Sequence, residues 1–178
     1  MTKMTLNDVS AQERLIFALD IGNGLAEAQK WVGILNNHIG CFKIGKESFC
    51  LYGHHIITAI TQQSGKIFLD LKFHDIPNTV AQATTAATKM KVSMVNVHAL
   101  GGRRMIASAV DATFKESQNS GIKKPILLAV TVLTSLEDSD IKELGFNCSV
   151  GELVVKLALM AKEEGADGVV ASLSLIHI

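Results

Sequence analysis

The sequence has little of what would tie it to a disulfide scaffold, a membrane or a polyanion. Its three cysteines, Cys41, Cys50 and Cys148, are odd in number and far apart, with no C-x-x-C pair to bind zinc or run redox chemistry. Reduced thiols filling the core are the expectation. The two prolines, Pro77 and Pro125, stand at element starts, where a missing N–H costs nothing. No run of about eighteen uncharged apolar residues occurs, which excludes a membrane-spanning helix. The opening MTKMTLNDVSA lacks the apolar stretch of a secretory signal, so a cytoplasmic protein is expected. Seventeen basic and seventeen acidic residues cancel to a formal charge of +0, leaving no global field to draw the chain to nucleic acid or anionic lipid. No histidine spacing implies a metal site, since neighbours such as His54 and His55 point about 100° apart on a helix. What remains is one globular domain, 48% hydrophobic with a mean hydropathy of +0.28, whose partner is a small molecule.

What the chain does have is alternation. Short β-rich runs at Leu15–Leu19, Cys41–Ile44, Lys66–Leu71, Met94–His98, Ile126–Val132 and Gly168–Ala171 are separated by helical patterns at Gly24–Asn36, Lys46–Gln63, Asn78–Met90, Arg103–Glu116 and Val150–Glu164. The last interval is long enough for an extra short helix. The best-marked helix start is Ser149 with Glu152, an S-x-x-E capping box, and Gly165 ends that helix. Parallel strands with crossover helices leave two architectures, an open doubly wound sheet or a (β/α)8 barrel. In the third strand Ile67, Leu69 and Leu71 alternate with Phe68, Asp70 and Lys72, giving one apolar face and one charged face. A doubly wound sheet buries both faces in apolar residues, whereas a barrel keeps charges inside at the C-terminal ends of its strands. The expected fold class is therefore α/β, a (β/α)8 TIM barrel of which the chain holds five βα units and strand six.

The informative segment is FLDLKFHDIPNT, residues 68–79, which packs Asp70, Lys72 and Asp75 into a D-x-K-x-x-D at a strand-to-loop junction. Neighbouring Asp and Lys are ordinarily a surface ion pair of small consequence. Here Asp70 and Lys72 share the inward face of a strand otherwise built of Ile, Leu and Phe, where charge is not buried without pairing or purpose.

This segment, with FALD at the first strand, FKIGKE at the second, MVNVHALGG at the fourth and AVTVLTS at the fifth, resembles the orotidine 5′-phosphate decarboxylases, from about Leu15 to Ser172. The resemblance implies a homodimeric barrel without cofactor or metal that converts orotidine 5′-phosphate to uridine 5′-phosphate in pyrimidine synthesis. It makes Lys72 the proton donor to the pyrimidine carbon that loses carbon dioxide, with Asp70 facing the departing carboxylate. Asp75, accompanied by Ile76 and Thr79, would cross the dimer to complete an alternating Lys, Asp, Lys, Asp charge array in the neighbouring subunit's site. Asp20 and Lys43 become ribose-hydroxyl contacts and Thr134 lies near the pyrimidine. The rest of the segment, Leu71, Phe73, His74, Pro77 and Asn78, lines the pocket. The physics agrees: unit charges about 4 Å apart at an effective dielectric near 20 interact by roughly 4 kcal/mol, and a cation fixed where a carbanion develops stabilises it.

Other features carry blander readings. Gly101-Gly102 could offer N–H groups to an anion, but a tight turn is the better account. His74 is given no catalytic step, and Lys46 and Glu47 read as a solvated helix start. The nearest rival is a magnesium-dependent sugar-phosphate enzyme resembling 3-keto-gulonate 6-phosphate decarboxylase, which shares D-x-K-x-x-D but has a glutamate ligand where this chain has Lys43. A non-catalytic barrel whose buried charges are structural is the reading of a different class.

The family pattern stops at Ser172, before the seventh and eighth strands whose loops grip phosphate. The expectation is an incomplete barrel domain over residues 1–172, inactive and aggregation-prone through its open edges, with 173–178 a non-native tail. CTG TCT CTT ATA CAC ATC, a transposase adaptor end, translates to the same residues as Leu173-Ser174-Leu175-Ile176-His177-Ile178, so an adaptor origin is the expectation over a natural frameshift or a true short chain. Sequencing the source gene past codon 172 without such an adaptor should reveal two further strand and helix units. A stop codon directly after those six codons would refute the adaptor origin.

Overall fold

The computed structural model describes residues 9–20, 22 and 24–172, which divide after Leu71 into two compact units. In the first, β1 (Ile16–Ala18), β2 (Cys41–Ile44) and the start of β3 (Ile67–Phe73) run parallel. Ala18 is in register with Lys43, and Lys43 with Phe68. Helix α1 (Leu25–Leu35) buries Ala28 and Val32, one turn apart. The apolar stripe Ile56, Ile57 and Ile60 of α3 (His54–Thr61) is also buried, and Phe42, Ile44, Ile67 and Leu69 supply the strand side of this core.

One expected helix is two. The pattern over Lys46–Gln63 is uninterrupted in hydropathy, yet the chain forms α2 (Lys46–Tyr52) and α3, parted at Gly53. Gly53 has a φ of 54°, a conformation that glycine adopts without steric cost, so the chain turns there. The cysteine expectation also needs correction. Cys41 is buried, and burial pushes its thiol up to about 12, but Cys50 is exposed and Cys148 only half-buried.

In the second unit, β4 (Met94–His98), β5 (Ile126–Val130) and β6 (Gly168–Val170) are parallel, with Asn96 opposite Leu128 and Leu128 opposite Gly168. Helices α4 (Pro77–Lys89) and α5 (Arg103–Ser120) pack closely against each other. Thr84 and Thr88 are buried on α4 and donate their hydroxyls to the carbonyls of Val80 and Thr84, so neither polar group is left unsatisfied. The Asp167 carboxylate clasps the starts of β5 and β6, accepting from the Leu127 N–H at 2.8 Å and from Lys124 Nζ at 2.6 Å. The extra short helix is α6 (Asp138–Glu143). Among the described residues no helix is long and apolar enough to cross a membrane.

The capping box at the start of α7 (Val150–Glu163) forms as the sequence implies. Ser149 Oγ accepts the Glu152 N–H at 3.3 Å, and Glu152 Oε2 accepts the Ser149 N–H at 2.8 Å. That backbone hydrogen bond, followed by the Ser149 hydroxyl, holds the Glu152 carboxyl below its ordinary value of 4.5. A carboxyl depressed in the folded state stabilises the fold above the unfolded value and loses that contribution as pH falls through the folded one. The wild type should therefore be more stable than Glu152→Gln at neutral pH, and the gap should narrow as pH falls below 4.5. Urea unfolding across pH 3–7 measures this; a gap that persists unchanged at pH 3 would contradict it.

Candidate active site

Parallel strands deliver their C-terminal ends to one edge of a sheet, and in the first unit three of those ends carry charge. Asp20 follows β1, Lys43 lies near the end of β2 and Asp70 lies in β3. The Lys43 ammonium stands between the two carboxylates, with Nζ 3.3 Å from Asp20 Oδ2 and 3.6 Å from Asp70 Oδ2. Exposure grades across the triad: the side chains are 48% exposed at Asp20, 23% at Lys43 and 12% at Asp70. A carboxylate as desolvated as Asp70 is tolerated beside a cation, and the outer member of the triad remains open to a ligand.

Two further residues shape this corner. At Gly45, a residue the sequence does not single out, a Cβ would stand 2.8 Å from Asp20 Oδ1 and 3.4 Å from Lys43 Nζ. Only a residue without a side chain lets the pair form as it does. Ser48 is buried in α2 and donates its hydroxyl to the Leu19 carbonyl at 3.1 Å, fixing the end of β1 from which Asp20 projects. Neither role is readable from spacing, because both depend on the register that brings β1 beside β2.

The second unit begins with the other half of the motif. Lys72, near the end of β3, is half-buried with a φ of 52°. For a residue carrying a Cβ this left-handed conformation costs about 1–3 kcal/mol and persists only where the surroundings impose it. Its backbone N–H donates to Asn96 Oδ1 at 2.8 Å. Strand alternation alone would have kept residue 72 extended, so the bend is a finding of the structure. Leu71 and Phe73 on either side are half-buried.

The following loop is exposed at His74, Asp75 and Ile76, and Asp75 Oδ1 accepts the N–H of Ile76 at 2.6 Å. The His74 ring stacks on His98 at the end of β4, with centroids 5.2 Å apart and planes 20° apart. A Cβ on Gly101 would meet Met105 Sδ and approach His74 Cδ2 at 3.2 Å, so this glycine makes room for the loop. Gly102, with a φ of 81°, is the turn before α5, in keeping with the tight-turn reading. Pro77 opens α4 as its first residue, where its ring is pre-set for the helix. Asn78 and Thr79 on α4 are exposed, as are Thr134 beyond β5 and the helix-start pair Lys46 and Glu47. Among the described residues no group of three or more His, Cys, Asp or Glu side chains could hold a metal ion.

A family model described as orotidine 5′-phosphate decarboxylase / HUMPS matches residues 13–176. The orotidine 5′-phosphate decarboxylase of Syntrophus aciditrophicus is 49% identical over 97% of this chain and 68% of its own length. That of Geotalea daltonii is 46% identical over 91% of this chain and 66% of its own. The chain thus spans about two thirds of the length of these curated relatives. The crystal structure of orotidine 5′-phosphate decarboxylase from Lactobacillus acidophilus superposes with a TM-score of 0.81 at 42% identity, covering 89% of this chain and 70% of that one. The fold class expected from strand alternation is that of these structures, with five βα units and the sixth strand present.

Replacing Gly45 tests the geometry of the triad directly. Gly45→Ala should push the Asp20 carboxylate away from Lys43 while costing the fold little, since the group that must move is the end of a flexible side chain 48% exposed. A crystal structure of the variant that retains the 3.3 Å contact would show the space to be incidental.

Proposed function

Since the chain belongs to the orotidine 5′-phosphate decarboxylase / HUMPS family, we propose that it carries the decarboxylation of orotidine 5′-phosphate to uridine 5′-phosphate, without a cofactor. The observation that carries the reading is the D-x-K-x-x-D of residues 70–75, laid out along β3 and its loop with Asp70 already paired to Lys43 at 3.6 Å.

In the proposed reaction the bond from the pyrimidine carbon to its carboxylate breaks and carbon dioxide leaves. The electron pair stays on the ring carbon, and a proton from Lys72 Nζ is delivered to it. The fixed ammonium stabilises negative charge as it develops, which is the differential stabilisation that lowers a barrier. Asp70 faces the substrate carboxylate. Asp20 and Lys43 receive the ribose hydroxyls; the 48% exposure of Asp20 supports an outward, ligand-facing role. Thr134 lies toward the pyrimidine, and Leu71, Phe73, His74, Pro77 and Asn78 line the pocket.

The active assembly is proposed to be a homodimer in which Asp75, Ile76 and Thr79 enter the partner's site. Their exposure supports this, above all Ile76, a large apolar side chain 66% exposed. The barrel domain is taken to run to residue 172, with the phosphate grip outside the described residues. The magnesium-dependent alternative finds no support, because its acidic ligand position is occupied by Lys43, whose ammonium lies between two carboxylates.

In the complete chain, Lys72→Ala should lower turnover of orotidine 5′-phosphate by several powers of ten, each about 1.4 kcal/mol, while nucleotide affinity changes by only a few-fold. Steady-state kinetics with calorimetric binding decides; near-normal turnover would remove Lys72 from the role of proton donor.

A further inference from the structure

Strand β4 is apolar from Met94 to Val97 except at Asn96, and ends in His98. Val95 and Val97 are fully buried, and between them Asn96 is 0% exposed, with Leu128 as its register partner on β5. A carboxamide in such a place is costly unless it is hydrogen bonded. Its Oδ1 accepts the Lys72 N–H at 2.8 Å. The same N–H belongs to the residue with a φ of 52°, a conformation that a side-chain-bearing residue keeps only when its surroundings hold it. A buried polar group inside an apolar strand and a strained backbone at the neighbouring strand's end thus meet at one peptide.

Rotation about N–Cα moves Cβ and the carbonyl carbon together. An anchored N–H and a fixed φ therefore determine the direction in which the side chain leaves the strand. We infer that Asn96 is a positioning residue for Lys72: by holding the Lys72 peptide in its left-handed conformation, it sets where the lysine ammonium stands. The inference rests on the reading of Lys72 as proton donor. Asparagine suits the task because its short side chain brings an uncharged acceptor to the peptide. Leucine fills similar space and accepts nothing, and aspartate keeps an acceptor in the same place.

The test uses the complete chain with three readouts: hydrogen exchange at the Lys72 amide, kcat on orotidine 5′-phosphate, and Kd for uridine 5′-phosphate. In Asn96→Leu the Lys72 amide should exchange at least about tenfold faster while those of residues 67–70 are unchanged, and kcat should fall at least about tenfold with Kd within about twofold. Asn96→Asp should restore both the amide protection and most of kcat. If Asn96→Leu does not fold, Asn96→Ala, which overpacks nothing, gives the same comparison. Unchanged protection of the Lys72 amide would overturn the inference. So would a released amide with wild-type kcat when Lys72→Ala is inactive. Should Lys72→Ala itself retain turnover, the proton-donor reading is what fails, and amide exchange alone then decides whether Asn96 holds Lys72.

Discussion

A single ammonium between two carboxylates is the constraint around which the first unit is arranged. Asp70 is nearly excluded from water, and a carboxylate in that condition needs a cation within a few ångströms. Lys43 can supply it only because β2 is paired in parallel with both β1 and β3, in the register that sets Ala18, Lys43 and Phe68 abreast. The missing Cβ at Gly45 and the hydroxyl of Ser48 on the Leu19 carbonyl serve the same end, since each fixes where Asp20 can stand. The core of Phe42, Ile44, Ile67 and Leu69 beneath supplies rigidity that the charges by themselves would not.

Beyond Leu71 the character of the chain changes. Upstream, the charges of the site, Asp20, Lys43 and Asp70, are engaged with one another. Downstream, Asp75, Ile76, Asn78, Thr79 and Thr134 present their side chains to solvent. That exposure leaves these side chains available to the partner that the proposed function gives them. Within the proposed homodimer the two halves of the motif have different masters: Asp70 answers to its own strand neighbours, and Asp75 to a second copy.

Much of this was legible in the sequence. Strands at Cys41–Ile44 and Met94–His98 match the structure residue for residue, because β-branched and aromatic runs bounded by breakers leave little choice. The capping box at Ser149 was likewise local chemistry. What could not be read were the features that depend on two distant segments meeting. The division at Gly53 was hidden by a hydropathy pattern that continues through it, although the glycine itself was in view. Lys43 was expected against a ribose, and its place between Asp20 and Asp70 follows from strand register. Asn96 stood inside MVNVH as a polar residue in an apolar strand. That was a visible signal, but its partner lies 24 residues away and could not be named.

The backbone at position 72 also bears on which mutations this chain can accept. The conformation there is one that glycine adopts freely and lysine does not. A change to glycine would relax the peptide and be favoured in a screen that reads only folding, yet it deletes the cation from which the proposed chemistry takes its proton. Selection for stability and selection for turnover therefore pull this codon in opposite directions, and a thermostable variant obtained without an activity filter is liable to be lost at Lys72.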